Sequence, residues 1–287
     1  SDILNSLDTE RPILITGPTA SGKSRLALTI ASKLGGIIVN ADSMQVLNCW
    51  TILSARPSTQ DLLDANHFMY GHIGINEPYS AGHWLRDLKK VLTTPHRPII
   101  VGGTGLYFNA LLNGLAEIPE IQDSVKRKAD KLELSEMVHA LDVEVKTKID
   151  LRNRARVQRA WEVQEATGRS LAHWQSKTPP PFMQIDEVDT VLLDIPKTEL
   201  DLKITKRFDQ MLELGVLNEV KAMEPHWDLK QNFTKAIGAS QLMSYLKKET
   251  DLTVARENSI IASRQYAKRQ RTFFKKHMKN WNVYNIG

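Results

Sequence analysis

Short apolar runs alternate with segments of helical hydrophobic spacing over the first third of the chain. Residues 12–16, 36–41 and 98–101 have the length and apolar character of buried strands. Apolar residues recur at helical intervals in 24–34, 80–92 and 106–112. This alternation predicts a parallel sheet flanked by helices.

The pattern changes between about residues 119 and 186. Charged, helical segments and three consecutive prolines, 179–181, occupy this stretch, and its sequence contains no recognisable core strand. Beyond it we expect a strand at 188–195, helices at 198–214, 235–247 and 252–276, and a last strand at 281–286. The pattern therefore predicts an α/β core of residues 1–118 and 187–287, interrupted by a helical insertion domain of residues 119–186.

The eight residues after the first predicted strand match the phosphate-binding pattern G-x-x-x-x-G-K-[ST]. Its glycines let backbone N–H groups and a helix N-terminus converge on a phosphate, while Lys23 neutralises charge and Ser24 can ligate Mg²⁺. The predicted phosphate-binding residues are Gly17, Pro18, Thr19, Ala20, Ser21, Gly22, Lys23 and Ser24. The fold class is thus a P-loop NTPase-like core, but the motif does not identify the molecule that carries the phosphates.

A kinase of a small metabolite is the first hypothesis for a P-loop protein, since this fold often transfers a γ-phosphoryl group. Two features weaken it. The strand at 98–101 ends in Gly102-Gly103-Thr104, where many ATPases carry a metal-holding Asp, and the sequence has no obvious arginine-rich lid between glycine hinges.

Positive charge is concentrated near the end of the chain. Residues 258–287 contain seven Lys and Arg residues and no Asp or Glu, whereas in the rest of the chain 33 acidic residues slightly outnumber 31 basic ones. This distribution suggests a polyanionic partner, although a solvated helix face explains it equally well.

Cysteine content and hydropathy limit the protein class. Cys49 is the single cysteine of the sequence, which excludes an intramolecular disulfide and a thiolate zinc cluster. No apolar run approaches the roughly 18 to 20 residues of a membrane helix, and we recognise no signal segment before the first strand. We therefore expect a cytoplasmic protein without a membrane partner.

Five segments together resemble the tRNA dimethylallyltransferases, the IPP transferase family: residues 17–24, 42–46, 102–107, 159–163 and 265–270. The resemblance implies transfer of a dimethylallyl group from dimethylallyl diphosphate to N6 of adenosine 37, beside the anticodon, in tRNAs that read codons starting with U. It also implies Mg²⁺ as cofactor, no use of ATP, and a monomer.

The resemblance assigns catalytic roles to four residues. The P-loop would hold the leaving diphosphate, with Lys23 and Mg²⁺ stabilising its charge, and Arg207 would support it. Asp42 would accept the proton of the adenine amine, although it could instead cap a turn or hold Mg²⁺ through water. Thr104 would donate a hydrogen bond near the reaction centre or contact the tRNA.

The resemblance also implies which residues bind the anticodon stem-loop, in part through the insertion domain. A target adenine must leave the base stack before its amine can be reached. The predicted tRNA-binding residues are Asp42, Ser43, Met44, Gln45, Thr104, Arg156, Gln158, Arg159, Lys235, Ala236, Ile237, Gly238, Ala239, Ser240, Lys268, Arg269 and Arg271.

Leu47 and Ser54 depart from the family pattern, which puts their contacts in doubt, while Arg56 keeps a positive charge. Three alternatives stay open: the small-metabolite kinase, a prenyltransferase that acts on free adenine nucleotides, and a non-catalytic, nucleotide-gated RNA-binding protein.

Overall fold

The computed structural model describes residues 2–287, which form two compact units. The first contains the chain up to Leu112 together with Met183–Gly287, and the second is Asn113–Phe182. The predicted insertion, 119–186, therefore began and ended a few residues too late. Gly114 has φ 80° and packs so tightly on Pro179 that a Cβ would strike the Pro179 carbonyl oxygen, which places both linker segments inside the second unit.

All strands that the structure describes in residues 2–287 form one parallel sheet, in the order β3-β2-β4-β1-β5-β6. The strands are β1 (Ile13–Thr16), β2 (Ile37–Asn40), β3 (His67–Phe68), β4 (Pro98–Val101), β5 (Asp189–Asp194) and β6 (Val283–Asn285). Every residue of β1, β2 and β4 is buried, as expected for central strands covered on both faces. The two-residue β3 was missed by sequence analysis because it is too short to show a periodicity.

Helices account for most of the remaining chain. They are α1 (Asp2–Ser6), α2 (Lys23–Leu34), α3 (Thr59–Asp64), α4 (Ala81–Val91), α5 (Gly105–Asn113), α6 (Asp123–Lys131), α7 (Leu134–Ala140), α8 (Val143–Lys148), α9 (Arg154–Thr167), α10 (Leu171–Ser176), α11 (Lys197–Glu213), α12 (Val216–Ala222), α13 (Ala239–Leu246) and α14 (Leu252–His277). Short 3₁₀ turns cover Ile185–Glu187, Glu224–His226 and Asn232–Lys235. None of these helices combines the length and the apolar character that a membrane span requires.

The helix predicted for residues 235–247 begins at Ala239, four residues later than predicted. Gly238 has φ 91°, in the left-handed region that ends or precedes a helix, and the residues before it form the 3₁₀ turn Asn232–Lys235. The hydrophobic spacing of 235–247 did not reveal this break, because apolar residues such as Ala236 continue through it.

Three strand ends bring the sequence motifs to one edge of the sheet. In a parallel sheet the carboxyl ends of the strands lie at the same edge, where ligands usually bind. The P-loop follows β1, Asp42 follows β2, and the Gly102–Thr104 loop follows β4. The segment before Asp42 and the Gly102–Thr104 loop approach closely, since a Cβ on Gly102 would overlap the backbone of Ala41.

The insertion unit has its own core. Helices α6, α7, α9 and α10 bury a cluster that includes Met137, Val157 and Trp161. This apolar centre explains why the charged helices of this stretch form a separate compact unit.

Glu219 of α12 holds the segment 51–53, which leads into the loop beside the strand ends. Its carboxylate accepts hydrogen bonds from the backbone N–H groups of Thr51, Ile52 and Leu53, at 2.5, 2.9 and 2.8 Å. Three converging N–H groups form an anion-binding concavity, here satisfied by the chain itself.

Replacing Glu219 by Ala leaves these three donors without their acceptor. We expect this variant to lose about 1 to 3 kcal/mol of unfolding free energy, measured by urea denaturation. Glu213→Ala, which removes an exposed carboxylate near the end of α11, is the control. Equal stability of the two variants would contradict a structural role for the Glu219 carboxylate.

Candidate active site

A cavity of about 650 Å³ opens at the carboxyl edge of the sheet in the first unit. The P-loop, the loop of residues 51–58, α11 and α14 surround it. The lining residues that carry polar or charged groups include Thr19, Lys23, Ser24, Asp42, Gln45, Arg56, Lys203, Lys206, Arg207, Tyr266 and Gln270. The cavity therefore joins residues from the first 60 positions to residues beyond position 200.

The P-loop has the tight backbone that phosphate binding requires. Ser21 N–H donates to the Pro18 carbonyl at 3.2 Å, and Gly22, at φ 89°, directly precedes α2. Ala20 has φ 62°, a left-handed conformation that is uncommon for a residue with a Cβ and frequent at functional sites. Six of the eight predicted residues thus form a loop, and Lys23 and Ser24 are the first residues of the helix that follows it.

Lys23 carries its ammonium group in a desolvated position. Its Nζ donates to the Pro18 carbonyl at 3.1 Å. Burial lowers the pKa of Lys23 to about 8; the negative charge of Asp42 opposes this shift, and the positive charge of Arg207 adds to it. An anion bound in the cavity would favour the charged form of this lysine.

Arg207 of α11 reaches the same loop. Its Nη1 donates to the hydroxyl of Thr19 at 3.1 Å. Burial lowers the pKa of Arg207 as well, and Asp42 opposes that shift. Two cations separated by 184 positions therefore meet at the P-loop, which is the location that the family resemblance implied for Arg207.

Asp42 uses one carboxylate oxygen for a turn. Oδ1 accepts from the backbone N–H groups of Met44 and Gln45, at 2.9 and 3.2 Å, and this turn makes no use of Oδ2. The amide of Asn40 fixes the Asp42 backbone by accepting from its N–H and donating to its carbonyl. The turn-capping alternative and the proton-acceptor hypothesis are thus compatible, because they concern different oxygens.

Three tyrosines share the environment of Asp42. Burial raises the pKa of Tyr70, Tyr107 and Tyr266, and the negative charge of Asp42 raises each of them further. Their hydroxyl groups stay neutral at physiological pH and can act as hydrogen-bond donors.

Thr104 connects the Gly-rich loop to the Asp42 turn. Its Oγ1 accepts from Ser43 N–H at 2.9 Å and donates to Ser43 Oγ at 3.3 Å, while its own N–H donates to the Ala41 carbonyl. Thr104 therefore contacts Ser43, the neighbour of Asp42, and helps to hold the turn in place.

The amide of Gln45 is engaged in the protein. Nε2 donates to the carbonyls of Ser54 and Ala55, at 3.0 and 2.9 Å. Ser54 Oγ donates to the Trp50 carbonyl at 2.6 Å, and Arg56 Nε donates to the same oxygen at 3.0 Å. Ser54, one of the two departures from the family pattern, thus takes part in the internal hydrogen bonding of this loop, whereas Leu47 lies in the apolar core.

The segment Lys235–Ser240 is only partly available to a partner. Ala236, Gly238 and Ala239 are buried, so that their side-chain positions do not form an RNA-facing surface, whereas Lys235 is exposed. This part of the tRNA-binding prediction requires correction, because the close packing around Gly238 against Phe208 and Leu53 places it inside the core.

The basic residues of α14 point in different directions. Arg269 lies over the Tyr266 ring at 5.8 Å, and Arg271 Nη2 donates to Asp194 Oδ1 at 3.3 Å. Lys268 and Arg271 line a second cavity of about 660 Å³, next to Asp194. Tyr266 and Gln270 face the first cavity, so that α14 separates the two.

In the insertion unit, Arg156 and Arg159 are exposed on α9. Gln158, between them, donates from Nε2 to Asp130 at 2.8 Å and to Glu162 at 3.0 Å. Two of the three predicted residues thus have free access to solvent, and the third stabilises the helix surface.

The donor set at the P-loop fits Mg²⁺. No group of three or more His, Cys, Asp or Glu side chains could hold a metal in residues 2–287. Mg²⁺ usually keeps several waters and shares its remaining ligands with substrate phosphates, which needs few protein donors. The exposed Ser24 hydroxyl at the start of α2 lines the cavity and suits this mode.

Some residues that support or line the cavity had no assigned role from sequence alone. Asn40 fixes the Asp42 backbone, and Gln270 contacts the P-loop and the Gly-rich loop. The position of Gln270 inside a family-like segment was the available signal, but its contacts depend on how α14 packs. Lys203 and Lys206 lie on the cavity side of α11, one turn before Arg207 and next to it.

Known proteins resemble this chain over most of its length. The IPP transferase family model matches residues 45–277. The chain belongs to the IPP transferase family. Its fold is accordingly the P-loop NTPase-like one, as predicted, and the protein is a transferase.

Individual members of the family cover nearly the whole chain. The tRNA dimethylallyltransferase of Roseobacter denitrificans is 50% identical over 275 residues, covering 96% of this chain and 99% of that protein. The crystal structure of tRNA delta(2)-isopentenylpyrophosphate transferase from Staphylococcus epidermidis is 30% identical with a TM-score of 0.63, covering 96% and 93%. A eukaryotic dimethylallyltransferase acting on tRNA shares the fold, with a TM-score of 0.82 at 22% identity, covering 96% and 74%.

The depressed pKa of Lys23 predicts a pH-dependent affinity for diphosphate esters. Below about pH 8 the free protein already holds the charged lysine; above it, binding must also take up a proton. We expect the affinity for a diphosphate monoester, measured by calorimetry, to fall by about tenfold between pH 7 and pH 9, because a bound anion favours the charged lysine. A diphosphate monoester is a suitable ligand for this experiment because its last ionisation lies near pH 6, so that its own charge changes little between pH 7 and pH 9.

Lys23→Arg is the matched control, since the guanidinium stays charged over this range and should give a flat profile. An equally flat profile in the unsubstituted protein would contradict the role of Lys23.

Proposed function

We propose that this protein transfers a dimethylallyl group from dimethylallyl diphosphate to N6 of adenosine 37 in tRNAs that read codons starting with U. The observation that carries the proposal is the shared cavity: a P-loop with two partly buried cations, Lys23 and Arg207, and a carboxylate, Asp42, face one space. Leaving-group stabilisation and proton acceptance are the two requirements of this reaction, and the presence of a candidate group for each supports the proposal.

In the proposed reaction, N6 of the adenine attacks C1 of the dimethylallyl group while the bond between C1 and the diphosphate oxygen breaks. The bonding electrons leave with the diphosphate, whose charge Lys23, Arg207 and the P-loop N–H groups stabilise. Asp42 Oδ2 accepts the proton that N6 loses. Mg²⁺, held by Ser24 and the diphosphate, would supply further charge compensation.

Asp42 is best tested with Asp42→Asn, because the amide oxygen can keep the bonds to the Met44 and Gln45 N–H groups. We expect turnover to fall by about 10² to 10⁴-fold, the usual range for a lost general base. Affinity for tRNA should stay unchanged, as measured by filter binding. Asp42→Ala, which removes the cap as well, should also lower the melting temperature. Normal turnover in Asp42→Asn would exclude the proton-acceptor role.

The reaction itself is tested by incubating the protein with labelled dimethylallyl diphosphate, Mg²⁺ and unmodified tRNA, with ATP and free AMP in separate reactions. Label on adenosine 37 is the expected result. ATP turnover without transfer would favour the kinase, label on AMP the free-nucleotide prenyltransferase, and tRNA binding alone the non-catalytic RNA-binding protein.

We propose that the exposed arginines of α9 bind phosphates of the anticodon stem-loop. Arg156→Ala and Arg159→Ala should each weaken tRNA binding and reduce the slope of log affinity against log salt by about 1. The control is Arg152→Ala, an exposed arginine near Asp150 on the preceding turn. Equal slopes for all three variants would argue against this surface.

The monomeric state and the cytoplasmic location stay predictions.

A further inference from the structure

Gln270 is a buried polar side chain that both halves of the candidate site contact. It is 5% exposed, and its amide lies between the P-loop and the Gly-rich loop. Oε1 accepts from Thr19 N–H at 2.8 Å, and Nε2 donates to the Gly103 carbonyl at 3.1 Å. The helix α14 thereby fastens two loops that follow different strands, β1 and β4.

These two bonds belong to a longer connected series. On the P-loop side, the Thr19 hydroxyl accepts from Arg207, which faces the diphosphate position. On the other side, Thr104 follows Gly103 and accepts from Ser43, the neighbour of Asp42. Gln270 is the link between the group that would stabilise the leaving diphosphate and the group that would accept the proton.

The contact with Thr19 also affects how the P-loop can bind phosphate. A P-loop normally directs its backbone N–H groups toward the phosphates. The Thr19 N–H is already directed to Gln270, so that this residue fixes the orientation of the peptide. Since the Ser21 N–H is directed to the Pro18 carbonyl, a phosphate would have to use the other N–H groups of the loop. The amide oxygen of Gln270 thus shapes the cradle without itself contacting the phosphate.

Only a glutamine at position 270 satisfies both contacts. A glutamate has the same length and can accept from Thr19 but cannot donate to Gly103 when ionised, and an asparagine is one methylene shorter. The absence of a side chain at Gly103 leaves room for Gln270, because a Cβ at position 103 would overlap Gln270 Nε2.

We propose that Gln270 is a positioning residue that sets the separation between the diphosphate-binding half and the adenine-binding half of the active site. The proposal rests on the proposed prenyl transfer. Displacing reacting groups by about 1 Å can cost 10²-fold in rate, while each half still binds its own ligand. Loss of Gln270 therefore lowers kcat far more than it weakens the binding of either substrate.

The test compares Gln270→Ala and Gln270→Glu with Gln265→Ala, an exposed glutamine on the same helix. Single-turnover rates, KM for dimethylallyl diphosphate, affinity for inorganic diphosphate and affinity for tRNA are measured for each. We expect about 10²-fold lower kcat in both Gln270 variants, with KM and both affinities within about threefold of the unsubstituted protein. Gln265→Ala should behave as the unsubstituted protein.

A second pair of variants separates positioning from a general loss of folding. Gly103→Ala should lower kcat by displacing Gln270, and the double variant with Gln270→Ala should be no slower than the slower single variant, a non-additive result. Additive losses, or a kcat change that only follows a lowered melting temperature, would overturn the assignment.

The outcomes for the two proposals differ. If the unsubstituted protein transfers no prenyl group, the proposed function fails and the assignment of Gln270 fails with it. If the unsubstituted protein transfers the group and Gln270→Ala keeps its kcat, or loses it in step with diphosphate affinity, only the assignment of Gln270 is overturned.

Discussion

The partial burial of two cations, Lys23 and Arg207, beside the P-loop is the constraint on which this active site depends. Lys23 and Arg207 lie close enough for the charge of Arg207 to lower the pKa of Lys23, and desolvation lowers the pKa of both residues. Such an arrangement is unfavourable in isolation and becomes favourable when a polyanion enters. Asp42 reduces the cost in the free protein, since its charge opposes both pKa shifts. The carboxylate assigned to proton acceptance therefore also helps to keep the anion site assembled.

The sheet makes this arrangement possible by bringing distant segments to one edge. Carboxyl ends of parallel strands converge, so residues that follow β1, β2 and β4 become neighbours whatever their separation in sequence. The loops can approach closely because two of their residues have no side chain. Gly102 leaves room for Ala41, and Gly103 leaves room for Gln270. In the first contact backbone meets backbone, and in the second backbone meets a side chain. This explains a glycine pair at the end of β4, where many ATPases carry a metal-holding Asp.

Sequence analysis predicted the central elements because they have strong local signals. The P-loop lies between a buried strand and a helix, and the main helices α11 and α14 were placed within a residue or two of their ends. Elements that depend on tertiary contacts were missed or misplaced. The left-handed Gly238 precedes a helix whose start the apolar spacing had placed four residues earlier, and β3 has only two residues. The burial of Ala236 and the side-chain bonds of Gln270 follow from how α11, α13 and α14 pack, which periodicity does not encode.

The contact between Gly114 and Pro179 has a consequence for the modularity of the chain. The insertion unit begins and ends at neighbouring points. The gap that it bridges in the main unit is therefore short, whatever the length of the insertion. Adding or removing helices between these points changes neither the strand order of the sheet nor the register of its strands. The insertion unit can therefore become larger or smaller during evolution while the carboxyl edge of the sheet stays unchanged.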